Sequence, residues 1–288
     1  MKTMEKTTLA DKYVTFSEES KKLLHPELIE VMSDTFNKVY PGICNFFNNG
    51  EIRNVVFEAD PNHGFPSLTT TITTIVEDDD NGVVIKTETK IENNTIKFNP
   101  NDIVCKGGIW DVGWMIHELI HIAQDYKYYE GNYPSWIVEG LADYGTEKVG
   151  LYNKESSWRI RQISNNKNYE IGYTIAAGFF IWIEKNIDAT LPKNLNNTMK
   201  LGKYTDNYFI ERTGKTVEEL WQMYVEENRA NFIIWLEKHI GISLPKDIHD
   251  KLKSGELDDE LENYIHEKTG KSIDDLSPLW IIYEDMKK

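Results

Sequence analysis

The chain has 288 residues, 40% apolar and 12% aromatic, which supports a sizeable core without disulfide staples and excludes a disordered polymer. A net charge of −15 and a pI near 5.0 argue against charge-driven binding to nucleic acid and against a polybasic membrane anchor. No run of about eighteen apolar residues marks a membrane-spanning helix. Residues 1–25 have no apolar run and read as an N-terminal extension, so the expectation is a cytoplasmic protein or one trimmed of a signal peptide. Across 26–49, Leu28, Val31, Met32, Phe36 and Val39 recur at helical spacing, and Pro41-Gly42 is expected to kink or end that helix. Residues 51–60 read as a strand. The β-branched stretches 69–76 and 83–91 flank Asn81-Gly82, a hairpin signal, and 95–100 reads as one more short strand. From about residue 108 the pattern is almost entirely helical, and strands followed by helices predict an α+β chain. Cys44 and Cys105 fit one disulfide or two thiols equally well.

The second half repeats itself. Residues 179–202 resemble 231–255, with Trp182/Trp235, Glu184/Glu237, Lys185/Lys238, Leu191/Leu244 and Pro192/Pro245 at a single offset. Residues 211–220 resemble 266–276 after a three-residue slip. Residues 227–288 are therefore expected to form an extra helical unit resembling 179–226, a structural duplication rather than a second binding site.

His117-Glu118-Leu119-Ile120-His121 forms HExxH, of which this composition predicts about 0.016 chance occurrences. Val112, Met115, Leu119, Ile122 and Tyr126 recur at i, i+3, i+4 spacing as a buried stripe. His117 and His121 lie one turn apart, so both imidazoles project from one face and can meet a single Zn²⁺. Glu118 can reach solvent at the metal's open position without ligating the ion, and so can act as general base. Zinc needs a third protein ligand. Gln124 and Lys127 stand where a metzincin has Gly and His, which excludes that class, and His25, His63, His239, His249 and His266 are remote. On a helix following Pro134, Glu139 and Asp143 share one face, 18 and 22 residues beyond His121. His₂Glu is a catalytic zinc set that leaves one position for water, so Glu139 is the expected ligand. Asp143 would accept the free ring N–H of His117, or would serve as the ligand in place of Glu139.

HELIHIAQ (117–124) followed by WIVEGLADY (136–144) resembles the plant basic secretory proteins and their bacterial relatives, a family of zinc peptidases. YTIAAGFFIWIEK (173–185) and TGKTVEELWQMYV (213–225) look like later motifs of that family, so the resemblance covers roughly 26–226. The spacing also looks like the gluzincin pattern of thermolysin and related aminopeptidases. The resemblance implies a zincin-like α+β domain over 26–226. A mixed N-terminal sheet would pack on the HExxH helix, and a helical part would begin near 150. It further implies Zn²⁺ held by His117, His121 and Glu139, with Glu118 as base and Asp143 behind a ligand. Tyr173, by its place in the family-like motif, becomes the candidate oxyanion donor. An extended substrate would lie against an edge strand around 95–99, ahead of Gly107-Gly108. The implied partner is a peptide or protein, and the implied location is secreted or cell-envelope, with the cytoplasm left open. This chain departs from the family in three ways: it is acidic where the plant members are basic, Gly145-Thr146 follow where a basic residue often stands, and the second helical copy is an addition. Two rival readings keep the metal: an inactive zincin-fold binding module for a protein or glycan, and an amidase acting on glycopeptide or cell-wall links.

Overall fold

The computed structural model describes residues 7–78, 84–103, 105–106, 109–126, 133–149, 168–241, 243–254, 259–272 and 276. In chain order the elements are α1 (Leu9–Tyr13), β1 (Val14–Phe16), α2 (Glu18–Leu23), α3 (Pro26–Phe47), β2 (Val55–Ala59), β3 (Ser67–Asp78), β4 (Val84–Phe98), β5 (Cys105–Lys106) and β6 (Ile109–Trp110). Helices follow: α4 (Gly113–Gln124), α5 (Ser135–Val149), α6 (Tyr173–Asn186), α7 (Leu191–Lys200), α8 (Tyr208–Thr213), α9 (Val217–Trp235), α10 (Lys246–Ser254) and α11 (Asp259–Thr269). The architecture is mixed α+β, with a four-stranded sheet and a mostly helical remainder. The Asn81-Gly82 turn and Gly107-Gly108 lie outside the described residues. The chain divides into two units, Met1–Lys127 with Gly145–Arg159 and Tyr128–Tyr144 with Ile160–Lys288.

In the first unit, α3 does not end at Pro41-Gly42. It runs on to Phe47, with Pro41 inside the helix and Gly42 on its exposed side. An interior proline costs about 3 kcal/mol. Beyond it, however, Ile43 and Phe47 continue the buried stripe of Leu28, Met32 and Phe36, and each returns about 1.5–3 kcal/mol. The sheet order is β1-β2-β4-β3. β1 pairs parallel with β2, β2 parallel with β4, and β3 antiparallel with β4. Residues 1–25, set apart by the sequence as an extension, thus contribute an edge strand. The stretches 83–91 and 95–100 merge into the single strand β4.

The expected edge strand at 95–99 is internal, and β1 and β3 form the edges. Its alternation explains this: Asn94, Ile96 and Phe98 are buried in register with Val55, Phe57 and Ala59 of β2, while its other side takes β3. Cys44 and Cys105 are both free thiols, the first buried in α3 and the second exposed. Helix α4 packs against α3, β3 and β4, and the Trp114 ring lies 4.7 Å from that of Phe98.

The second unit is held by aromatic rings. Trp136 contacts Tyr169, Phe180 and Phe209, and Phe179 contacts Trp182, Trp221 and Tyr224. Three aromatic donors of this unit reach carboxylate acceptors, the usual arrangement for a buried Tyr or Trp. Tyr144 donates to Glu184 (3.0 Å), Tyr169 to Glu218 (2.9 Å) and Trp182 to Glu227 (2.8 Å). Further along the chain, Phe232, Trp235, Leu236, Ile248, Leu261 and Ile265 form a cluster of their own. Two turns of like sequence carry the same bonds. Thr213 Oγ1 donates to Phe209 O (2.7 Å) and accepts from Lys215 N (3.2 Å). Thr269 Oγ1 donates to Ile265 O (2.7 Å) and accepts from Lys271 N (3.0 Å). Gly214 and Gly270 take left-handed φ values of 74° and 70°.

Two glycines set opposite expectations. A Cβ at Gly140 would stand 2.5 Å from Ala176 Cβ, whereas one at Gly42 would meet nothing within 4 Å. Gly140→Ala is expected to destabilise the protein by about 1–3 kcal/mol through overpacking. Gly42→Ala is expected to stabilise it by about 0.5–1 kcal/mol through helix propensity. Urea midpoints of the two variants check both signs, and equal midpoints would refute the close approach at Gly140.

Candidate metal centre

Helix α4 is buried on nearly every side. Of its 12 residues only Trp114 and His121 escape full burial. Four polar side chains, those of His117, Glu118, His121 and Gln124, therefore sit on a helix that is otherwise apolar. Buried polar groups are costly unless paired, so their arrangement is tightly constrained. The His117 and His121 rings stand one turn apart at 87°, with their Nε2 atoms 2.9 Å apart. The other nitrogen of His121, Nδ1, lies 2.7 Å from Gln124 Oε1, within hydrogen-bonding distance. Gln124 is 1% exposed.

The helix stops at Gln124 because Asp125 turns left-handed, at φ 46°, and returns its N–H to His121 O. Asp tolerates that conformation. Its carboxylate is nevertheless unfavourable at the negative end of the helix dipole. Arg53, from the segment before β2, offsets this with a 2.6 Å bond from Nη2 to Asp125 Oδ2. Burial alone would lower the affinity of Arg53 for its proton, and Asp125 and Glu51 more than restore it, so the guanidinium stays charged. Tyr126, expected on the buried stripe, falls beyond the helix end.

Helix α5 brings the carboxylate. One ligand atom each from His117, His121 and Glu139 lie within 4.8 Å of one another, so this group could hold a metal ion. Among the described residues it is the group of three or more His, Cys, Asp or Glu that meets this test. Asp143 is buried one turn beyond Glu139 and is not one of the converging donors. Glu118 is buried on α4, between the two histidines.

The remaining histidines are engaged elsewhere. His25 caps α3 and stacks on Trp110, His63 bonds Ser67, His239 stacks on Trp235, and His249 and His266 lie on α10 and α11.

Small residues set the depth of α5. A Cβ at Gly145 would stand 2.7 Å from Ile120 Cδ1 and 2.8 Å from Phe47 Cε2, so a larger residue there would have to push those side chains aside. A Cβ at Gly172 would meet Trp136 Cα at 3.2 Å and Glu139 Cβ at 3.5 Å, and Gly172 takes φ 76°. The backbone just before α6 therefore lies against Glu139. Tyr173 follows directly, 49% exposed and at φ 47°. A bulky residue in the left-handed region costs roughly 1–2 kcal/mol, and such strain gathers at functional positions.

Sequence reasoning missed Gln124, Arg53 and Asp125. Only Gln124 carried a usable signal, its i, i+3 spacing from His121 on the same face. The Arg53–Asp125 pair joins residues 72 apart, which no periodicity encodes.

A family model described as BSP, peptidase of plants and bacteria, matches residues 29–224, about two thirds of the chain. No curated protein and no solved structure matched. The matched stretch holds α4 with its two histidines, α5 with Glu139 and the Gly172-Tyr173 junction. The chain belongs to this family, the BSP peptidases of plants and bacteria.

Proposed function

We propose that this protein is a zinc-dependent metallopeptidase of zincin type. The observation that carries this reading is the convergence of His117, His121 and Glu139 within 4.8 Å in a chain of the peptidase family. Two imidazoles and one carboxylate form a donor set suited to zinc and leave a coordination position open. Zinc bound there would supply a Lewis acid that polarises the scissile carbonyl and makes water acidic enough to attack at neutral pH.

The chain's own residues divide the remaining work. Glu118, on the ligand helix but outside the ligand set, takes the proton of the attacking water and delivers it to the departing amine. Asp143, buried on α5, accepts the outer ring N–H of His117 and fixes that ring's tautomer. Tyr173 donates its phenol proton to the developing oxyanion. The strained φ of Tyr173 and the packing of Gly172 against Glu139 support this role. The substrate is a peptide or protein. Its backbone pairs with β3, an edge of the sheet whose Thr69, Thr70 and Thr71 are exposed.

Residues 227–288 are read as a second copy of the 179–226 unit, a reading supported by the matching turns at Gly214 and Gly270. By its likeness to the family the protein is read as secreted or of the cell envelope, with the cytoplasm as the alternative. Among the described residues no helix is long and apolar enough to cross a membrane.

Three variants test the assignments, with metal content and cleavage of a proteome-derived peptide mixture as readouts. Glu118→Gln is expected to keep its zinc and lose roughly 10²–10⁴-fold in turnover. Full activity would remove Glu118 from the mechanism. Glu139→Ala is expected to weaken zinc binding by more than the roughly 10–100-fold that losing an outer hydrogen-bond partner costs. Undiminished zinc uptake would overturn the ligand set. Tyr173→Phe is expected to keep zinc and KM while kcat falls roughly 10²–10³-fold. An unchanged kcat would leave the residue a packing role only.

A further inference from the structure

We propose that Gln124 is a positioning residue that sets the tautomer of His121, and thereby prepares Nε2 of that ring to receive the metal. The inference rests on the metal reading of the same site and goes one layer outward from it. A neutral imidazole carries one proton on either nitrogen, and in water the Nε2–H form is the commoner, which points the proton where an ion should sit. An amide oxygen can only accept a hydrogen bond. With Gln124 Oε1 2.7 Å from His121 Nδ1, the proton resides on Nδ1 and the Nε2 lone pair faces His117 Nε2, 2.9 Å away. The surroundings give this bond weight, because Gln124 is 1% exposed and water cannot readily substitute for its oxygen.

Gln124 is also held from behind. It is the last residue of α4, a place where helices commonly fray. Here the next residue, Asp125, is fixed by the Arg53 guanidinium at 2.6 Å, with both side chains largely buried. The amide therefore presents its oxygen to His121 from a closed helix end. Its neutrality distinguishes it from the carboxylates that commonly back metal-binding histidines, because it orients the ring without adding another negative charge beside Glu139.

The test uses the full chain and zinc alone, at one fixed neutral pH. Competition with a chelator gives the zinc affinity of the wild type, Gln124→Met and Gln124→Glu. Gln124→Met keeps the length and removes the acceptor, and is expected to weaken zinc binding roughly 10–100-fold. Gln124→Glu restores an acceptor and is expected to return the affinity to the wild-type value or above it, a rescue that mere filling of space would not produce. A second measurement does not depend on the folding of any variant. Long-range ¹H–¹⁵N spectra of the zinc-free wild type are expected to place the His121 proton on Nδ1. A His121 proton on Nε2 overturns the inference, as does zinc affinity equal in the wild type and Gln124→Met. Both outcomes leave the metal reading standing if the wild type binds zinc. A wild type that takes up no zinc overturns the metal reading and this inference together.

Discussion

Two imidazoles on a helix with almost no exposed face constrain everything around them. Helix α4 is apolar on nearly all sides, and burying a hydrogen-bonding group without a partner costs of the order of 1–3 kcal/mol. His117, His121, Glu118 and Gln124 cannot be treated as a polar stripe facing water, as they could on a surface helix. Each needs a partner of matching character, and the helix needs neighbours that hold it in one rotation about its axis. Trp114 against Phe98, Gly145 opposite Ile120, and Arg53 on Asp125 act at its start, its middle and its end.

Glycines set how closely α5 packs on its neighbours within each unit. Helices normally pack with axes 8–10 Å apart, the separation being set by the side chains between them. At Gly145 and Gly140 no side chain intervenes, so α5 settles against Ile120 and Phe47 at one point and against Ala176 at the other. Within the second unit, Gly140 lets the stretch of α5 that carries Glu139 lie close on Ala176. The conformational cost of glycine in a helix, about 1 kcal/mol per residue, is accepted here for position.

The parts of this arrangement that are local in sequence are legible in the sequence itself. The i, i+4 spacing of His117 and His121 follows from helical geometry alone, and the Glu139–Asp143 spacing on the following helix gave a short list for the third donor. The strands were legible as β-branched runs, but their order was not. The 95–99 stretch shows only that alternate residues seek burial, and this is equally true of an internal strand and an edge strand. Pairing of β1 with β2 brings residue 14 beside residue 55, a separation that no local pattern reports. That α3 continues past Pro41 was hidden for a related reason, because proline's local penalty is visible in the sequence while the burial of Ile43 and Phe47 that offsets it is tertiary. Gln124 was read only for what it is not, a metzincin glycine. Its i, i+3 relation to His121 could have shown that it shares the ligand face, though not that it is buried.

The acidic composition has a structural use that its net value hides. Glu184, Glu218 and Glu227 each accept from the tip of a buried or half-buried aromatic ring in the second unit. Burial pushes the Tyr144 and Tyr169 phenols up, and the adjacent carboxylates push them further, so both remain proton donors throughout the physiological range. The Tyr169 bond bears directly on Tyr173. Tyr169 opens the single 3₁₀ turn that ends at Ile171, and its ring is clamped by Trp136, Phe179 and Trp221 while its hydroxyl is tied to Glu218. Gly172 then turns the chain against Glu139, and Tyr173 absorbs the residual strain at φ 47°. A strain of roughly 1–2 kcal/mol persists only where the surroundings over-determine the backbone. An anchored aromatic ring on one side and a full helix on the other meet that condition. Half-exposed Tyr173 thus starts α6 from a rigid backbone that packs on Glu139 through Gly172, the kind of support that a side chain acting on a bound substrate would need.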